Sequence, residues 1–202
     1  MASLTIREPE TYSVKRNAHC PNSSFPVLVY RNVLPTPVEE ESTSEFLQRN
    51  KWEKKVEIVL TFRFASSQLN RLQGTWGAIT TKHFHPNTHE CYGIFRGTSM
   101  LVFGEGGLDA PGTGVRCTVS AGDVVVVPAG VAHASATSAD DYKYIGVYPQ
   151  GSPKWRNEWG KRAVEDDDPL LSEIAAVPVP ACDPVYGAGG PAVRIWREIR
   201  PE

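Results

Sequence analysis

The 202-residue sequence predicts an all-β fold, a sandwich or barrel, on three observations. Between residues 55 and 149, short apolar segments follow one another at short intervals. The stretches between them are rich in glycine, proline, serine and aspartate, the residues that close tight turns. No helical pattern separates the segments.

In chain order, residues 1–24 are polar and irregular and read as an N-terminal arm. "FPVLVYR" (25–31) is apolar over consecutive positions and reads as a strand. "PTPVEEESTSEFLQRNKW" reads as a helix. Pro37 suits its first turn, Glu39, Glu40 and Glu41 suit its positive N-terminal end, and Phe46 and Leu47 would face the core. "VEIVLTFRF" and "TWGAITTKHFH" alternate loosely, as strands do. "ECYGIFRG", "SMLVFG", "VRCTVS", "DVVVVP", "AHASAT" and "YKYIGVYP" follow, with "RGTS", "GEGGLDAPGTG", "SAGD", "PAGV" and "SADD" as separators. Past residue 150 one helix is expected, "DPLLSEIAAV", entered through Asp168 and Pro169. A Gly/Pro-rich stretch, "DPVYGAGGPAVRIW", ends the pattern. The chain thus divides into an arm (1–24), a barrel with its preceding strand and helix (25–150), and a C-terminal extension packing on the barrel (151–202).

Hydrophobic residues make up 41% of the sequence and charged residues 22%, a globular composition. The net charge of −2, with no basic run, argues against nucleic-acid binding driven by phosphate contacts. No apolar stretch approaches the roughly 20 residues that span a bilayer. The start, "MASLTIREPE", lacks the apolar core of a secretion signal. Cys20, Cys91, Cys117 and Cys182 are scattered, with no CxxC. Reduced thiols and a cytoplasmic location are expected.

Three of the five histidines crowd into "HFHPNTHE". His83 and His85 are two apart, so on a strand both imidazoles share one face and Phe84 takes the other. "PNT" makes a turn and Glu90 opens the next strand, a hairpin that returns a carboxylate to two imidazoles. A further ligand must come from elsewhere. His133, at a strand start after the turn "PAG", is the strong candidate. Nitrogen and oxygen ligands of this kind suit Fe, Mn, Co, Ni, Cu or Zn. An HxH on a strand also has a plainer reading, as surface or hydrogen-bonded histidines. His89, beside Glu90, reads as a solvated loop histidine, an acid–base group at the pocket mouth, or a substitute ligand. His19 is given no functional role.

From Gly77 the chain reads Gly, five residues, HxH, four residues, Glu, six residues, Gly97. From Gly122 it reads Gly, five residues, Pro128, one residue, Gly130, two residues, His133. These blocks resemble the two motifs of the cupin superfamily. The second motif departs at its end, where Thr137 stands in place of the family's asparagine. The resemblance implies a single-domain jelly-roll β-barrel with a metal inside, held by His83, His85, Glu90 and His133. Gly97 and Gly122 would then allow tight turns between strands, and Gly130 the turn that delivers His133. "VVVV" before Pro128 suits a strand buried on both faces. "NTHECYGIFRG", "AGDVVVVPAGVAH", "YIGVYPQG" and "DPVYGAGGPAVRIW" resemble, more narrowly, a family of small single-domain cupins of bacteria and fungi, most without established activity.

Four protein ligands leave one or two positions open on a five- or six-coordinate metal, as a catalytic site requires. The expected cofactor is one divalent transition metal, Fe or Mn ahead of Ni, Co, Cu or Zn. The expected function is an oxygenase-type oxidoreductase acting on a small phenolic, diketone or acid. A non-redox isomerase or decarboxylase, or a binding protein without turnover, are the alternatives. The lead for oxygen chemistry rests on analogy with related folds. Tyr92 and Ile94 share the alternation of Glu90 and would face inward; Trp76, Phe103, Ser135 and Tyr148 are further candidates to meet a substrate. Cupin barrels expose sheet edges, and the apolar segment 25–31 could cover one on a partner subunit, so a homodimer is expected.

Overall fold

A computed structural model of the chain describes residues 6–55 and 74–199. The expected strand "VEIVLTFRF" lies outside the described residues. Among the described residues, eight strands form one curled antiparallel sheet: β1 (Glu10–Tyr12), β2 (Val27–Tyr30), β3 (Trp52–Glu53), β4 (Thr75–Trp76), β5 (Glu90–Phe103), β6 (Val115–Ser120), β7 (Val124–Val127) and β8 (His133–Pro149). Its main path runs β1-β2-β7-β5-β8-β3, with β4 also pairing β8 and β6 also pairing β5. The described residues also form the helices α1 (Glu40–Gln48), α2 (Pro169–Ala176) and α3 (Pro191–Ile199).

The sheet buries both faces. Val27 and Val29 of β2, Tyr92 and Ile94 of β5 and Val125 and Val127 of β7 point into the barrel. Their alternates Leu28, Tyr30, Cys91, Val124 and Val126 point outward, yet they are buried under Leu47 of α1, Trp52, Val185 and Trp196 of α3. This double burial is why "VLVY" and "VVVV" are apolar at every position. α1 lies close against β5 because residue 93 is glycine: a Cβ there would sit 2.7 Å from Leu47 Cδ1 and Thr43 Cγ2.

Several expectations are corrected. "RGTS" is not a turn: β5 runs through it as one strand, with register shifts at Ile94/Arg96 and Arg96/Thr98. Gly97 is needed there because a Cβ would meet the carbonyl oxygens of Ala139 and Asp140 at 2.5 and 2.6 Å, so it serves a strand crossing and no turn. "SADD" likewise lies inside β8, where Asp140 and Asp141 adopt φ of 56° and 52°. These positive φ values bend the strand without ending it. Pro37 precedes α1, whose N-cap is Glu39. The arm contributes β1 to the sheet edge, and β2 is paired on both sides by β1 and β7 of its own chain. Residues 25–31 therefore do not cover a partner's edge.

The Gly/Pro-rich tail is more ordered than its composition suggests. Asp183, fully buried, accepts backbone N–H groups from Val185, Tyr186 and Ala192 at 2.7–2.9 Å and the Tyr30 hydroxyl. It thereby closes the turn and satisfies the first N–H of α3, that of Ala192, in a helix absent from the sequence expectation. Trp196 of α3 stacks on Phe25 with ring centroids 5.1 Å apart and gives its indole N–H to Pro26.

Candidate metal centre

His83 and His133 face each other across an isolated antiparallel bridge, where each backbone N–H meets the other's carbonyl at 3.2 and 2.8 Å. Gly130, at φ of 84°, makes the turn that starts β8 at His133. His85 follows one residue after Phe84, whose backbone pairs with Glu158 of the C-terminal extension. Glu90 is the first residue of β5. All four side chains are buried.

Each ring nitrogen Nδ1 meets a backbone carbonyl: His83 to Thr81 at 2.8 Å, His85 to Arg156 at 3.0 Å and His133 to Val131 at 2.9 Å. A carbonyl oxygen can only accept, so Nδ1 carries the proton in all three rings and Nε2 holds the lone pair. The donor atoms of the three histidines lie within 4.8 Å of one another. Glu90 Oε2 lies 3.1 Å from His85 Nε2 and 3.4 Å from His133 Nε2.

The Glu90 distances to His85 and His133 match donors on one ion, while the group whose donors all lie within 4.8 Å of one another holds the three histidines without Glu90. Donors bound at about 2.1 Å stand about 3.0 Å apart at a right angle and about 3.4 Å apart at the tetrahedral angle. His133 Nε2 is buried without a hydrogen-bond partner, an arrangement that costs free energy unless something binds there. Burial, and then the neighbouring His133, push the His83 imidazole down to about 3, so it stays neutral and able to donate. Burial opposes the charge on Glu90, but positive charge at His85 and His133 outweighs it and holds the carboxyl well below the usual carboxylate range; with the imidazoles neutral, an ion on their Nε2 atoms would supply that charge. Tyr92 donates its hydroxyl to Glu90 Oε2 at 3.1 Å and Tyr148 donates to Oε1 at 2.7 Å. The donor set is nitrogen and oxygen only: Cys91 faces the outer core, and burial raises its thiol well above the ordinary cysteine range.

A narrow cavity borders His83 and His133, lined also by Ile79, Tyr92, Leu101, Phe103, Ala134, Ser135, Tyr142 and Tyr144. Of the substrate-facing candidates, Tyr92, Phe103 and Ser135 line it. Ile94 is buried in the barrel core away from its wall. Trp76 packs edge-on against Trp155, which stacks on Tyr148, outside that wall. Tyr142 and Tyr144 were missed. Counting by twos from His133 puts them on the opposite face, and the irregular stretch at Asp140 and Asp141 resets the alternation.

His89 does not line the cavity beside the three histidines; it lines a separate pocket with Phe25, Ala129 and Ile174. It is 1% exposed and packs between Phe25 and Trp196 on the outer face. Its Nδ1 accepts the Ala129 N–H at 2.9 Å and its Nε2 donates to Pro178 at 3.1 Å, which ties the hairpin to the C-terminal extension. Both nitrogens are thus engaged, away from the three-histidine group. His19 pairs with Asp109 at 3.0 Å.

Residues 55–152, just under half of the chain, match the family model described as Cupin, and the curled antiparallel sheet agrees with that match. It is similar to the curated "Uncharacterized protein YjlB" of Bacillus subtilis (strain 168), 28% identical over 193 residues that cover 94% of this chain and 98% of that protein. Among solved structures, RmlC from Streptococcus suis in complex with dTDP-D-xylose aligns over 94% of this chain and 92% of its own, at 12% identity and a TM-score of 0.36. No helix among the described residues is long and apolar enough to cross a membrane.

Proposed function

We propose that the chain is a metal-dependent cupin enzyme acting on a small organic molecule, with oxygenase-type oxidation as its leading chemistry. One observation carries the reading. Three buried histidines spend Nδ1 on backbone carbonyls, and their Nε2 atoms converge beside a carboxylate and an apolar cavity. His83, His85 and His133, with Glu90, would hold one divalent ion. The nitrogen and oxygen donor set, with Cys91 turned away, suits iron or manganese. When bound, such an ion polarises a substrate oxygen and, as iron or manganese, supports dioxygen chemistry.

The chain's own residues prepare the site. Tyr92 and Tyr148 fix the Glu90 carboxylate, and the three carbonyls fix the imidazole orientations. Leu101, Phe103 and Ala134 make part of the cavity wall apolar. The division into arm, barrel and extension, and assembly as a homodimer, belong to the same proposal. For the dimer, the support is the short edge strand β1.

The test is reconstitution with Fe(II) and with Mn(II), followed by oxygen-uptake measurements against phenols, diketones and oxo acids. Oxygen consumption that stops in anaerobic buffer is expected. Turnover that persists without oxygen and tolerates several divalent metals would replace oxidation with isomerisation or decarboxylation. Tight binding with no turnover in either atmosphere would make the chain a binding protein.

A further inference from the structure

A second pocket lies outside the barrel, next to the three histidines. Its walls include Lys82, Leu108, Trp159 and Lys161, and its volume is about 460 Å³, room for a molecule of one or two rings. Leu108 is 60% exposed and Trp159 39% exposed among the described residues. Both sit on stretches that the fold fixes. Glu158 exchanges two backbone hydrogen bonds of 2.9 Å with Phe84, and Gly160 turns at φ of 59°, where a Cβ would meet the His19 carbonyl oxygen at 3.0 Å. Trp159 stands between these two points, its ring centroid 5.7 Å from that of His83. Leu108 stands in "GEGGLDAPGTG", a loop that two buried carboxylates pin. Glu105 accepts the Gly112 N–H at 2.7 Å and the Lys82 ammonium at 2.6 Å, and Asp109 accepts the N–H groups of Gly106 and His19 at 2.8 and 3.1 Å. The walls are therefore formed before anything binds, and little ordering entropy opposes a ligand.

The chemistry of the walls selects the occupant. The indole of Trp159 offers a stacking face to a flat ring, and Leu108 adds apolar area. Lys82 is committed to Glu105, while Lys161, on the same wall, brings a second positive charge. A flat anion meets the stacking face and the cation together. The pocket opens to solvent, so the anion keeps part of its water and no charge is buried. A second copy of the chain fits less well. A two-fold contact through this patch would bring Lys82 and Lys161 of one copy toward those of the other.

We infer that this pocket is a binding site for a flat aromatic carboxylate, stacked on Trp159 with its charge toward Lys161. The site goes beyond the metal reading and does not depend on it. Because Trp159 also touches His83, a molecule held here sits one side chain away from the three-histidine group.

The experiment is calorimetric titration of the full metal-free chain with 2-naphthoate, with neutral 2-naphthamide as the control of the same shape. The wild type is expected to bind one 2-naphthoate with a Kd below about 1 mM, and 2-naphthamide about threefold more weakly, the size of an exposed ion pair. Lys161→Met should bind both probes alike. Trp159→Leu keeps an apolar side chain without the stacking face and should bind 2-naphthoate about fivefold more weakly. Leu108→Asp replaces apolar area with a negative charge at an exposed position, and should weaken 2-naphthoate at least tenfold. Lys161→Met, at an exposed lysine, decides the matter alone if either of the other variants fails to fold. No saturable binding by the wild type, equal affinity for the two probes, a preference kept in Lys161→Met, or full affinity in Trp159→Leu or Leu108→Asp overturns the inference. A wild-type dimer that Leu108→Asp turns into a monomer in light scattering overturns it too, since a second copy would then cover the patch. Each of these results leaves the metal reading standing, and a chain that takes up no metal leaves this site standing.

Discussion

At the scale of single residues, the histidines and Glu90 hold their ordinary chemistry in an unusual setting. His83 is depressed to about 3 in the folded chain, against an ordinary value near 6.5. Between those values the unfolded chain binds a proton that the folded chain refuses, so folding stability falls as the pH falls. Glu90, held low, adds to the loss in the same direction at the acid end. Metal-free protein should lose about 2 kcal/mol between pH 7 and pH 5, a drop in Tm of several degrees readable by calorimetry. A flat Tm across that window would contradict the burial of a neutral His83. The carboxylate separates binding from chemistry. Glu90→Gln keeps the shape and some metal but removes a charge, so an enzyme should lose most of its turnover while metal analysis still finds the ion. Unchanged turnover would remove Glu90 from the site.

At the scale of elements, the C-terminal extension orients His85, one of the proposed ligands. The Arg156 carbonyl that fixes His85 Nδ1 is held in place by Asn87, which accepts the Arg156 N–H at 3.0 Å and donates to the Lys154 carbonyl at 2.8 Å. Asn87→Ala should weaken metal binding about tenfold with the four donors intact, as loss of an outer-shell partner does. A competition titration against a chelator measures it. The tail is anchored by Asp183. Replacing it with alanine leaves three backbone N–H groups and the Tyr30 hydroxyl without an acceptor, a cost of about 3 kcal/mol or more and a fall in Tm of about 10 °C.

Much of this was legible in the sequence because short strands, turn residues and an HxH spacing act locally. The strands at residues 27–30, 115–120 and 124–127 and the helix entered through Asp168 follow from local pattern, whereas the approach of His133 to His83 and His85 was implied by the resemblance of the second glycine-proline block to a cupin motif. The long strands did not follow from local pattern, because Gly97 and the Asp140/Asp141 pair look like turns and act as irregularities within strands. Tyr142 was hidden for the same reason. α3 was hidden because its N-terminal partner, Asp183, lies eight residues ahead of its first residue across a Gly-rich turn. His89 was misread because its burial depends on Phe25 and Trp196, distant in sequence.

At the scale of the whole molecule, both faces of the sheet are already covered within one chain, and β1 leaves a short edge. A two-fold dimer is expected in light scattering at micromolar concentrations, and a monomer throughout that range would remove it. Metal bound to the folded chain alone adds its binding free energy to folding: free metal at a thousandfold excess over Kd contributes about 4 kcal/mol. His85→Ala should abolish that metal-dependent rise in Tm. The most direct measurement is an anomalous-difference map from crystals of the metal-loaded chain. It should show one peak about 2.0–2.2 Å from Nε2 of His83, His85 and His133, with Glu90 completing the set. A peak elsewhere, coordination through Nδ1, or a stoichiometrically loaded protein with no peak among these histidines would contradict it.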